Sequence, residues 1–64
     1  MHRVEVINRN GNKIIYKKCH LIPCVDRLGN LYKYVIEHDD NMQEKGLYYS
    51  HEVRRISEVW EYDK

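Results

Sequence analysis

A small, mainly β domain is what this sequence predicts, and three observations carry the prediction. Short stretches alternate in polarity with the period of two that a half-buried strand requires, as in Arg3-Val4-Glu5-Val6. Val, Ile and Tyr, which fit a pleated surface, dominate those stretches. Asn10-Gly11 and Gly29-Asn30 fall between them, where tight turns are needed. With 64 residues there is room for one domain, spanning residues 1–64.

Residues 3–7 read as a first strand, with Val4 and Val6 on one face and Arg3, Glu5 and Ile7 on the other. Asn8-Arg9-Asn10-Gly11-Asn12 then reads as a hairpin turn, because Asn and Gly both tolerate positive φ. Residues 14–38 hold two apolar, tyrosine-rich runs and form the hairpin on which the rest must pack. The first run belongs to residues 13–25, too long for one flat strand. Pro23 cannot donate to a ladder and marks an edge, bulge or corner there. Gly29 is available for a left-handed position in the turn at residues 26–30.

Residues 31–39 form the next strand. Leu31, Lys33, Val35 and Glu37 share one face; Tyr32, Tyr34, Ile36 and His38 share the other, more apolar one, which is assigned to the core. A rival assignment buries Leu31 and Val35 and leaves Tyr32 and Tyr34 as a surface platform. Residues 39–46 are polar and read as a loop, followed by a short strand at 47–49. Residues 50–64 fit two readings. Val53, Ile56 and Trp60 stand at i, i+3 and i+7 behind Ser50, a capping residue, as in an amphipathic helix. Ile56, Trp60 and Tyr62 equally fit one face of a strand. A helical turn at 50–53 leading into a strand is the favoured version.

Five short strands with a brief helical turn before the last resemble the small SH3-like β-barrels. Tyr49-Ser50-His51-Glu52-Val53-Arg54-Arg55-Ile56 is similar to their one-turn helix entering the closing strand. The resemblance covers the whole chain at the level of layout. It lacks the acidic and proline-pocket cluster of peptide-binding SH3 domains, so it implies no proline-motif recognition. What it implies is a binding module for proteins or nucleic acids, since fold alone does not choose between them.

A chain this short buries about 60% of its unfolded surface, and such domains often gain stability from a disulfide, a metal or a second copy. An apolar fraction of 42% and a charged fraction of 33% exclude a disordered tail. Phe is absent and Tyr occurs six times, which suits half-buried positions with one wet end. Residues 1–38 carry seven Lys/Arg against three acids and residues 39–64 four against seven, so a net +1 conceals halves of +4 and −3. That balance disfavours a phosphate-driven nucleic-acid binder and permits self-association. No apolar run approaches the ~20 residues of a membrane span, and no secretory leader pattern opens the chain. Two cysteines make no disulfide framework, so a reducing, cytoplasmic setting is expected.

No phosphate loop, His-Glu-x-x-His pattern or activated nucleophile occurs, and the chain reads as no enzyme. Cys19, His20, Cys24 and His38 are ligand types. Cys19 and Cys24 fall on opposite faces of a regular strand, so neither metal nor cofactor is expected. His38-Asp39-Asp40 reads as a strand end and turn rather than a working His–carboxylate pair.

Aromatic and basic residues are the better lead. Arg27, Tyr32, Lys33 and Tyr34 lie in or beside the central turn; Tyr48, Tyr49, Arg54, Arg55 and Trp60 gather near the end. Trp, Tyr and Arg dominate protein-interface hot spots, and aromatic faces with cations also hold nucleotides. The leading expectation is an interaction protein that binds or inhibits a partner through this surface. A second is an oligomer that sequesters a nucleotide-like small molecule in a pocket between copies. A nucleic-acid-binding barrel is the third. The Lys-, Ile-, Asn- and Tyr-rich style resembles accessory proteins of phages and mobile elements, for which inhibition of a host or defence component is a natural role.

Overall fold

Alternation makes the strands, and the exceptions to it shape the molecule. The computed structural model describes residues 2–60. In chain order it contains β1 (His2–Asn8), β2 (Lys13–Lys17), β3 (Cys19–Val25), β4 (Leu31–His38), β5 (Glu44–Tyr49), a 3-10 turn (Ser50–Glu52) and β6 (Val53–Trp60). They build two antiparallel three-stranded sheets, ordered β2-β1-β6 and β3-β4-β5. Tyr62, assigned above to the closing strand, lies outside the described residues. Among the described residues no helix is long and apolar enough to cross a membrane.

Six strands appear where five were expected, because residues 13–25 break at Lys18 and not at Pro23. Lys18 takes φ 57, the left-handed region that costs a non-glycine residue about 1–2 kcal/mol. Its two backbone groups offset that cost by joining the sheets. The Lys18 N–H donates to the His2 carbonyl at 2.8 Å, and its carbonyl accepts the Asp39 N–H at 2.8 Å. Pro23 stays inside β3 opposite Tyr34. Two residues earlier, the Leu21 N–H turns to the Glu58 carboxylate at 2.8 Å instead of to β4. Pro23 shares that outward orientation, so its missing donor falls on a free edge where no ladder bond is lost.

Three register shifts follow. Ile7 faces Arg55 while Asn8 faces Val53, leaving Arg54 as an extra residue in β6. The bulge lets Val53 and Ile56, three apart, both turn inward: Val53 is buried and Ile56 packs on the core. A strand thereby imitates helical spacing, and the alternative of a C-terminal helix gives way to β6. Ser50 does not cap the short turn; the Glu52 carboxylate accepts the Tyr49 N–H at 2.8 Å. Between β4 and β5, Ile36 faces Gly46 and Glu37 faces Glu44, with Lys45 extra, so β5 begins before the expected residue 47. Between β3 and β4, Cys24 faces Lys33 and Val25 faces Leu31, with Tyr32 extra.

The core consists of Val4, Val6, Cys19, Ile36 and Val53, with Tyr16, Leu21, Tyr34, Tyr48 and Ile56 packed against it. Each fully buried Val or Ile contributes about 1.5–3 kcal/mol. Ile36 and Tyr34 face inward, which favours the core assignment of that β4 face over the surface platform. Across the core the Tyr16 and Tyr48 hydroxyls share a hydrogen bond at 2.5 Å, their rings edge to face. Gly46 makes room for them: a Cβ there would stand 3.0 Å from the Tyr16 oxygen. Burial, then the Tyr48 hydroxyl, pushes the Tyr16 phenol up to about 12.

Candidate interaction surface

Two hairpin loops of this chain are built alike. Asn8-Arg9-Asn10-Gly11-Asn12 and Asp26-Arg27-Leu28-Gly29-Asn30 match at the first, second, fourth and fifth positions in residue type or chemistry. In the first, the Asn8 side-chain oxygen accepts the N–H groups of Asn10 and Asn12 at 2.9 and 3.0 Å. In the second, Asp26 Oδ1 accepts those of Leu28 and Asn30 at 2.9 Å each. Both glycines donate their N–H to the carbonyl of the first loop residue at 3.0 Å, and both take positive φ, 89° and 83°. Only the glycine needs the left-handed region; Asn10 does not use it.

What differs is what the loops present. Arg9 Nε donates to the His51 carbonyl, and Arg54 Nη2 donates to the Arg9 carbonyl at 3.1 Å, so the first loop is strapped to the 3-10 turn. Among the described residues Arg27 has no hydrogen bond or ion pair. Where the first loop carries Asn10, the second carries Leu28, 85% exposed. Val25, Leu31 and Tyr32 beside it are exposed as well. β5 stops pairing at Lys33, opposite Tyr49, so this end of the β3–β4 hairpin extends past the third strand.

The remaining sequence-selected residues do not gather on one surface. Tyr34 and Tyr48 lie opposite each other and face the core. Tyr32, the extra residue, leaves their face, and Lys33 Nζ sits 5.5 Å from its ring centroid. The expectation that Lys33 lies across the strand from Tyr32 fails for that reason. Tyr49 shares a cross-strand row with Lys33 and stacks on His51 with centroids 6.1 Å apart. Arg54 straps the first loop, and Arg55 lies opposite Ile7 on the outer side of the first sheet. Trp60 packs edge to face on His2 at 4.2 Å and is half exposed. Arg27, Tyr32 and Lys33 are brought together at the hairpin end with Tyr49 opposite Lys33; Arg54, Arg55 and Trp60 lie on the other sheet, and Tyr34 and Tyr48 face the core.

The outward faces of the two sheets contrast. On the first, Arg3 Nε and Lys13 Nζ lie 2.7 and 3.0 Å from the Glu5 carboxylate, and these two cations hold Glu5 below the usual carboxylate range. On the second, pairing sets Ile22, Val35 and Leu47 in one cross-strand row and Cys24, Lys33 and Tyr49 in the next. Lys33 has no carboxylate partner among the described residues. Neither Ile22, Val35, Leu47 nor Leu28 was selected from sequence. An apolar residue inside an otherwise polar turn was the available signal for Leu28. For the row, it was Val35 on the face of β4 opposite Ile36.

A polar corner closes the far end of this second face. His20 Nδ1 lies 3.0 Å from Asp39 and its Nε2 3.4 Å from Glu37. Asp39 first, then Glu37, raise the imidazole above its ordinary value against the opposing effect of burial. Within the His38-Asp39-Asp40 run, Asp39 reaches a histidine, and that histidine is His20. His38 Nδ1 instead accepts the Asp40 N–H at 3.2 Å. Cys19 is buried, its thiol pushed up by burial and by Asp39; Cys24 points to the opposite face, and both are free thiols. Among the described residues no three His, Cys, Asp or Glu side chains converge as a metal cluster, and no cleft forms. No protein family, curated protein or solved structure matches this chain.

Proposed function

We propose that this chain is a non-enzymatic interaction protein that binds, and by binding inhibits, a partner protein through the end of its β3–β4 hairpin. The contact residues are Arg27, Leu28, Leu31 and Tyr32, with Lys33 behind them. One observation carries the reading: of two loops built alike, one is strapped down by Arg9 while the other holds out an unengaged Arg27 beside an exposed Leu28. An apolar anchor flanked by Arg and Tyr is the composition of interface hot spots. The layout is read as an SH3-like barrel, with the bent β2–β3 segment running from one sheet to the other. A phage or mobile-element accessory protein acting on a host component is the setting we propose.

The test compares capture of partners from the cells of origin by three tagged chains: wild type, Leu28→Asp and Arg55→Ala. A protein retained by wild type and Arg55→Ala but lost with Leu28→Asp supports the hairpin site. Identical sets from all three chains refute it.

A further inference from the structure

Beyond the hairpin end, we propose that the outward face of the β3-β4-β5 sheet pairs with the same face of a second copy, making a two-fold homodimer. The argument is charge symmetry along β4. Lys33, Val35 and Glu37 all point out of this face, with Val35 in the middle of the Ile22–Val35–Leu47 row. A two-fold axis lying in the interface along that row sets each apolar residue against its own copy. It also reverses the strands, so Lys33 of one chain lies over Glu37 of the other, twice. Strand rise puts the two charges about 7 Å on either side of Val35, and packed sheets lie about 10 Å apart, within reach of a lysine side chain.

Among the described residues Lys33 has no acid, and Glu37 has His20 beside one of its two oxygens. Lys33 Nζ lies over the Tyr32 ring. Glu37 Oε1, shut off from solvent, stands 3.4 Å from His20. The first sheet fails the same operation. About its central Glu5, the flanking rows carry Arg3 with Lys17 on one side and Lys13 with Arg55 on the other. Folding that face on itself would lay cations over cations, whereas the second face meets its own complement. Five buried residues among those described make a small core, and an isologous apolar interface is a standard means of stabilising so short a chain. The strand reversal also sends the two hairpin ends in opposite directions, so the dimer would offer two contact sites.

Sedimentation equilibrium on the full chain tests the proposal. Wild type should reach twice the 7.9 kDa chain mass. Lys33→Glu and Glu37→Lys should each weaken the dimer by at least about tenfold in Kd, since each creates two like-charge contacts. Mixing the two single variants, or combining both changes in one chain, should restore twice the chain mass, because charge complementarity returns in either arrangement. Far-UV circular dichroism confirms that each variant is folded. A wild type that stays monomeric at about 1 mM overturns the proposal, as do reversals that leave the mass unchanged or fail to rescue one another. A monomer would leave the hairpin reading standing, since that reading is scored on Leu28→Asp.

Discussion

The two outward faces of this molecule come from the same kind of strand and end up doing different things. On the first sheet, Glu5 gathers Arg3 and Lys13 into a closed set of charges, and Ile7 and Ile15 lie among them. On the second, Ile22, Val35 and Leu47 run across three strands and Lys33 finds no acid among the described residues. Both faces contain apolar residues, so hydrophobicity alone does not separate them; most protein surfaces are half apolar. How the charges are laid out does separate them: on the first face cations flank a central acid on both sides, and on the second a cation and an acid stand at opposite ends of an apolar row. A face ringed by cations repels its own copy, whereas one with a cation and an acid on either side of an apolar row gains by covering that row.

The comparison can be broken from the inside. Ile36 lies on the inner side of β4, behind the second face, and packs against residues of both sheets. Ile36→Ala should cost about 2–5 kcal/mol in urea unfolding and abolish both faces together. Gly46→Ala is a milder attack on the same strand pair. Its new methyl meets the Tyr16 ring at 3.0–3.3 Å and should cost about 1–3 kcal/mol. If the Tyr16–Tyr48 bond is displaced, a phenol that ionises near 12 in the parent should titrate lower by ultraviolet absorbance.

The faces themselves should answer more quietly. Glu5→Gln removes the centre of the first face's charge set, giving a small loss of stability that fades in about 1 M salt. Lys33→Gln, measured on dilute protein, should leave the unfolding midpoint in place at either salt concentration. Equal responses from both would erase the distinction. The smallest effect belongs to the polar corner. His20 is raised above 6.5 in the fold, chiefly by Asp39. Its stabilisation is therefore complete below about pH 6.5 and is lost as pH rises through the raised value. Unfolding midpoints followed from about pH 6 to 9 should fall by a margin that His20→Gln removes.

Much of the fold could be read before any coordinates, and the failures have a common cause. Alternation in residues 3–7 and the Asx–Gly loops declared themselves because turn chemistry is local. Lys18 did not, since nothing about lysine marks a left-handed residue; its conformation is imposed by His2 and Asp39, distant in sequence. The bulges at Tyr32, Lys45 and Arg54 misled in the same way. Each shifts a face by one residue, and counting from sequence then puts Tyr32 with Tyr34 or gives Val53 and Ile56 a helical period. Of the candidate surface, Arg27, Tyr32 and Lys33 were legible from type and position. Tyr34 and Tyr48 carried the same credentials and turned out to hold the core, because residue type does not say which side of a strand is inward. The Ile22–Val35–Leu47 row was invisible, since it exists only through the pairing of three strands.

β1 lies between β2 and β6, with Arg3 opposite Lys17 on one side and Val59 on the other. One of those partners is a hairpin away, and the other is the last described strand. The consequence is one of timing. The β3-β4-β5 meander is made of short loops and can close early, whereas pairing β1 with β6 means closing nearly the whole chain, the slow kind of step in β folding. Until β6 arrives, Val4 and Val6 have no second neighbour and the first sheet remains a two-stranded ribbon. Substitutions in β6 should therefore slow folding more than they speed unfolding, a pattern that stopped-flow measurements on Ile56→Val would reveal.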